Sequence, residues 1–123
     1  MNIEQYREYC IAKPGTTEEF PFDKDTLVFK IMGKMYALAS LSVWESGDAR
    51  INLKCDPDKS LRLREKYPDT ILPGYHMSKI HWNTVHVNQD LSPRKIKELI
   101  DHSYDLIVQS LTKKLKEQLA QLK

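Results

Sequence analysis

The chain has 123 residues, 41% hydrophobic and 29% charged, a globular balance that excludes intrinsic disorder and suits one domain spanning residues 1–123. Nineteen Lys and Arg against 17 Asp and Glu leave a net charge of +2 and a pI near 8.5, short of the strongly basic balance that by itself marks a nucleic-acid binder. No apolar run reaches the roughly 18–20 residues of a bilayer span, the N-terminus lacks a signal-peptide pattern, and two cysteines, Cys10 and Cys55, make no disulfide framework, so a cytoplasmic setting is expected.

Asn2 followed by Gln5 reads as a capping box opening a first helix, with Ile3, Tyr6 and Cys10 on its buried face. Pro14-Gly15 ends it, and the Phe20-Pro21-Phe22 island reads as an anchored loop or irregular strand. Residues 27–32 are rich in β-formers, Gly33-Lys34 supplies a two-residue turn, and residues 35–41 return as the partner strand. Ser46-Gly47-Asp48 offers another turn before a third strand over 50–54.

Asp56-Pro57 places an N-cap and a first-turn proline before a helix carrying Leu61, Leu63 and Tyr67, halted by Pro68. After Leu72-Pro73-Gly74, Ser78-Lys79 reads as a turn and the stretch through Val87 as a strand. Ser92-Pro93 caps a long amphipathic helix with Ile96, Leu99, Ile100, Ile107 and Leu111 on one stripe. A break near Thr112 leaves 112–123 as a C-terminal helical extension. Consecutive strands with helices before, between and after them predict an α+β fold, a single antiparallel meander sheet with helices on one face.

The charge distribution is uneven. No carboxylate lies between Asp69 and Asp90, a window that holds Lys79, His76, His81 and His86. The histidine spacings of five do not match a helical zinc pair, and no Cys or Glu completes a known pattern, so surface or hydrogen-bonded histidines are the expectation. Cys55 precedes a helix N-terminus, where the dipole could lower a thiol pKa, but a packing cysteine is the commoner case. Asp23, Asp25, Glu18 and Glu19 sit in polar surroundings that give no reason for acid–base tuning. With no phosphate loop, nucleophile elbow or metalloprotease motif, no enzyme is expected.

Nucleic-acid contact has more support. Trp82 and Tyr75 could stack on bases, Asn83 could reach a base edge and Lys79 could neutralise a phosphate, while Lys30 and Lys34 belong to a hairpin that could project as a wing. The alternative for Trp82 is plain core packing, and for the lysines plain solubility.

Several motifs occur in a specific order: Pro14-Gly15-Thr16-Thr17-Glu18-Glu19-Phe20-Pro21-Phe22, Thr26-Leu27-Val28-Phe29-Lys30, Ile51-Asn52-Leu53-Lys54-Cys55-Asp56-Pro57, Pro73-Gly74-Tyr75-His76-Met77 with Lys79 and His81-Trp82-Asn83-Thr84-Val85, and Asp101-His102-Ser103-Tyr104. In these the chain closely resembles the bacterial MmcQ/YjbR family, from the first helix to about Lys114. The resemblance implies a CyaY/frataxin-like fold and a DNA-binding role through hairpins likened to a double wing. That role falls first on Lys79, His81, Trp82 and Asn83, with His76 beside them. Ile80 departs from a position that is often basic in the family, which weakens the phosphate-binding case. Frataxin-like iron binding would need an acidic first helix, whereas Glu4 and Glu8 are offset by Arg7 and Lys13. No metal and no cofactor are expected.

Two readings follow. One is a DNA-binding module that uses the 75–86 segment and a hairpin wing. The other is a small-ligand or protein-interaction domain with a pocket lined by Tyr75, His76, His81 and Trp82. No membrane partner is expected.

Overall fold

The computed structural model describes residues 1–75 and 77–122. Helix α1 (Ile3–Ile11) opens with the expected reciprocal cap: Gln5 N–H donates to Asn2 Oδ1 at 2.8 Å, and Asn2 N–H donates to Gln5 Oε1 at 2.9 Å. Strands β1 (Thr16–Glu19), β2 (Thr26–Ile31) and β3 (Lys34–Ser40) follow, then a short helix α2 (Leu41–Glu45) and strand β4 (Arg50–Lys54). Helix α3 (Pro57–Lys66) starts on the Asp56 cap, whose carboxylate accepts Lys59 N–H at 3.0 Å. Strands β5 (Ile71–Pro73) and β6 (Trp82–His86) precede α4 (Pro93–Ser110) and α5 (Lys113–Gln121), capped by Ser92 and Thr112.

The six strands form one antiparallel sheet in the order β1-β2-β3-β4-β6-β5. Strands β2, β3 and β4 make the expected meander, and β1, just ahead of the Phe20-Pro21-Phe22 island, adds an edge strand to it. It does not continue to the end, because β6 lies beside β4 and β5 takes the edge. The hairpin turn is Met32-Gly33 rather than Gly33-Lys34. Both turn residues have positive φ, 49° and 83°, the geometry that matches the twist of paired strands. Leu41, read as the end of the second strand, instead opens a short helix with residues 42–45 because Ser40 caps it: the Ser40 hydroxyl accepts Val43 N–H.

Period-2 alternation sorts the sheet into two faces. Leu27, Phe29, Ala37, Ala39, Ile51, Leu53, Ile71 and Val85 point to one face and, with Tyr6, Leu63, Ile96, Leu99, Ile100 and Ile107, form the main core. Thus α1, α3 and α4 all pack on that face. Tyr6 meets Phe29 edge-on at 5.6 Å, a favoured aromatic geometry. Of the apolar residues expected in α3, Leu63 is buried but Leu61 is 63% exposed.

One irregularity organises the centre. Phe29 pairs with Ala37 and Lys30 with Met35, so Tyr36 is an extra residue in β3. Such a bulge lets two consecutive residues face the same side, and Tyr36 and Ala37 are both in the core. The neighbouring β3–β4 ladder is short, pairing Ala37 with Leu53 and Leu38 with Asn52. At the next register position, between Tyr36 and Lys54, the fully buried Ser103 of α4 intervenes. Its hydroxyl donates to the Tyr36 carbonyl at 2.6 Å and accepts Lys54 N–H at 2.9 Å. The serine thus satisfies two backbone groups that the ladder leaves open.

Removing that hydroxyl strands a donor and an acceptor. Ser103→Ala should lower unfolding stability by about 1–3 kcal/mol, read as a reduced urea midpoint at unchanged m-value. An unchanged midpoint would mean that the two backbone groups find other partners.

Candidate functional site

Arg64 of α3 holds Lys79, Trp82 and Asn83. Arg64 Nε donates to Asn83 Oδ1 at 2.8 Å, and Arg64 Nη2 donates to the carbonyls of Trp82, at 3.2 Å, and Lys79. Asn83 is 2% exposed on the helix-covered face and donates to Ser60 Oγ at 3.2 Å. Its amide is therefore engaged within the fold rather than presented at the surface. Trp82 is half-buried on the open face, and Gly74 N–H donates to its carbonyl at 2.8 Å. A Cβ at Gly74 would stand 2.8 Å from Trp82 Cβ, so this close approach requires glycine.

Lys79 and His81 are exposed. The Lys79 ammonium lies 3.5 Å from the Gly74 carbonyl, and the His81 carbonyl accepts Cys55 N–H at 2.9 Å. His76 lies outside the described residues. Lys30 pairs with Glu19 at 3.4 Å, and Lys34 donates to the Ser110 carbonyl at 3.4 Å, closing the end of α4. The β2–β3 hairpin and the start of β6 lie at the same end of the sheet, with β2 and β6 about 14 Å apart at the usual strand spacing.

The residues considered for catalysis have settled surroundings. Burial pushes the Cys55 thiol up, the direction opposite to that of an activated thiolate; burial also pushes the Cys10 thiol up, to about 12. Asp23 and Asp25 each hold local hydrogen bonds that keep their carboxyls below the usual range. Among the described residues, no group of three or more His, Cys, Asp or Glu is placed to hold a metal. Nor is any helix among them long and apolar enough to cross a membrane.

A concave feature lies on the sheet face opposite the main core. It is a groove of about 670 Å³, within the usual range for small-molecule sites. Phe22 and Asp23, from the β1–β2 loop, and Tyr75 and Met77, from the β5–β6 loop, help line it. Met35 and Leu38 of β3, Val43 of α2, Arg50 and Asn52 of β4, and Thr84 of β6 complete much of the surface. Phe22 and Tyr75 are each 64% exposed. Of the pocket residues expected from sequence, Tyr75 is present, whereas His81 and Trp82 are not among those lining the groove. Phe22, Leu38, Arg50 and Asn52 were missed, although the polar alternation of Arg50, Asn52 and Lys54 along β4 was a usable signal for an open face.

The YjbR family model matches residues 11–106, a stretch that contains all six strands. The chain belongs to the YjbR family. It is 42% identical over 111 residues to the Escherichia coli protein YbdF, covering 90% of this chain and 88% of that one. To the Escherichia coli protein YjbR it is 30% identical over 122 residues, covering 99% and 100%. A crystal structure of a Deinococcus radiodurans protein superposes with a TM-score of 0.87 at 35% identity, covering 97% of this chain and 88% of that one. A Pseudomonas syringae crystal structure gives 0.72 at 34% identity, covering 86% and 98%. These likenesses extend the YjbR assignment from sequence to fold.

His102, next to Ser103 on α4, bears directly on stability. Its Nε2 accepts Asp56 N–H at 3.2 Å just before α3, so the imidazole must be neutral at that nitrogen. Burial, and then the nearby Lys59 charge, lower its pKa, with Asp56 and Asp105 opposing. The unfolded chain therefore takes up this proton first. Its contribution is intact above the unfolded value of about 6.5 and declines as pH falls from there towards the lower folded value. Urea midpoints at pH 7.5 and 5.5 should show a smaller loss for His102→Gln than for the wild type, and equal losses would count against this role.

Proposed function

We propose that this domain is a non-enzymatic ligand-binding module that uses the open-face groove. The observation that supports this reading is the groove itself, a concavity on the sheet face away from the main core, with apolar side chains from two loops beside a partly polar floor. Apolar walls with a few positioned polar groups are the usual composition of small-molecule sites. Phe22 and Tyr75 supply rigid ring surface, and Met35 and Met77 are adaptable fillers.

The test uses phenylnaphthylamine, a neutral dye that fluoresces in apolar sites. Its binding to wild-type protein should weaken about 10-fold or more, equivalent to at least about 1.4 kcal/mol, in the Phe22→Ala/Tyr75→Ala double variant. Because both rings are mostly exposed, the double variant should keep its stability within about 1 kcal/mol. Undiminished dye binding by the folded variant would remove the groove from consideration.

A second reading, contact with the DNA phosphate backbone, is supported by a different observation. Lys30 and Lys34 of the hairpin, Lys54 at the end of β4 and Lys79 before β6 all belong to the same end of the sheet. On this reading, labelled duplex and single-stranded DNA should give saturable anisotropy changes that fall steeply with salt, and Lys34→Ala/Lys79→Ala should reduce the log–log slope by about 2. An unchanged slope, or no binding at low salt, would exclude this surface.

A further inference from the structure

Resting on the groove reading, the polar part of the floor points to a ligand class. Arg50 and Asn52 are two residues apart in β4 and therefore share the open face, about 7 Å apart along the strand. The orientation of Asn52 follows from a hydrogen-bond chain. Tyr75 N–H donates to Thr84 Oγ1 at 3.0 Å, and Thr84 Oγ1 donates its single proton to Asn52 Oδ1 at 2.6 Å. The Asn52 amide oxygen is thus turned towards β6, and Nδ2 has no protein acceptor among the described residues. A residue from the groove wall and one from its floor together fix a donor on that floor.

Arg50 supplies the positive charge. One guanidinium nitrogen, Nη2, lies 3.2 Å from Asp48 Oδ2, and the side chain is 38% exposed. Asp48 also faces His86 Nδ1 at 3.4 Å. A single contact leaves other N–H groups of the fork available for a planar acceptor.

Asp23, an ionised carboxylate that lines the groove, is tied into its own loop. Asp23 Oδ1 accepts the N–H groups of Asp25 and Thr26, and its Oδ2 accepts the Thr26 hydroxyl. The Ser40 hydroxyl donates to Asp25 Oδ2 at 2.5 Å. The floor at Arg50 and Asn52 offers donors and a positive charge, with the Asp23 carboxylate at the rim and apolar walls formed by Phe22, Leu38, Val43, Tyr75 and Met77.

We propose that the groove binds a small planar aromatic acid, with its oxyanion held by Arg50 and Asn52 and its ring system against the apolar walls. Charge complementarity carries this assignment: a neutral ring would leave the Arg50 and Asn52 donors without a new acceptor, whereas an oxyanion accepts from both.

Two dyes with the same ring body isolate the head group, anilinonaphthalene sulfonate and neutral phenylnaphthylamine. Each is titrated by fluorescence against wild type, Arg50→Met, Arg50→Lys and Phe22→Ala/Tyr75→Ala, with circular dichroism confirming the fold. The wild type should bind the sulfonate about 10-fold more tightly than the neutral dye. Arg50→Met should remove that preference, bringing the ratio of the two affinities close to one, and Arg50→Lys should restore part of it. Equal affinity for the two dyes in the wild type, or a preference that survives Arg50→Met, would overturn the acid assignment while leaving the groove in place. If neither dye responds to loss of Phe22 and Tyr75, the groove reading fails and this inference fails with it.

Discussion

The hydroxyl of Ser103 is the contact on which the centre of this domain depends. It lies where β3 and β4 part, donating to Tyr36 and accepting from Lys54. Buried backbone groups must be paired, so a bulge at this point in the sheet is tolerable only with an inserted partner. The partner comes from α4, which joins the longest helix to two central strands. The side chain of Tyr36 extends the same junction: its ring meets Tyr104 edge-on at 5.4 Å, and its hydroxyl reaches the Cys10 carbonyl at the end of α1. One irregular strand residue thereby ties both principal helices to the sheet.

That arrangement makes the two sheet faces unequal. Tyr36, which strict alternation would send to the open face, is turned into the core by the bulge. The opposite face is left with Leu38, Asn52 and Thr84 between the two loops. Backbone and side-chain bonds then define the rim: Thr84 receives Tyr75 N–H, and Asp23 closes its own loop on Thr26. The groove is a consequence of how the core was filled.

The β5–β6 segment shows how one residue pattern can support a different job from the one its chemistry suggests. Lys79, His81, Trp82 and Asn83 look like a recognition strip, yet Asn83 turns inward to meet Arg64 and Ser60. Arg64 is then the organiser, because a single guanidinium fork can satisfy an amide oxygen and two carbonyls. Nothing in the spacing of Arg64 and Asn83, 19 residues apart, announces that contact. Lys30 and Lys34 are paired with Glu19 and the end of α4, partnerships between segments remote in sequence or set by strand register.

Local chemistry fixed the helix starts and most strands of this chain. The Asn2, Asp56 and Ser92 caps form as their side chains require, because a cap satisfies orphan N–H groups within three residues. The stripe of Ile96, Leu99, Ile100, Ile107 and Leu111 is buried throughout, since helical periodicity needs only one apolar face to cover. The family, too, could be read from ordered motifs. The swap of β5 and β6, the bulge at Tyr36 and the groove could not, because each depends on contacts between distant segments. Tyr75 was legible as a surface aromatic, but its meeting with Phe22, Arg50 and Asn52 across one concave face was decided by strand order and register, which no single segment contains.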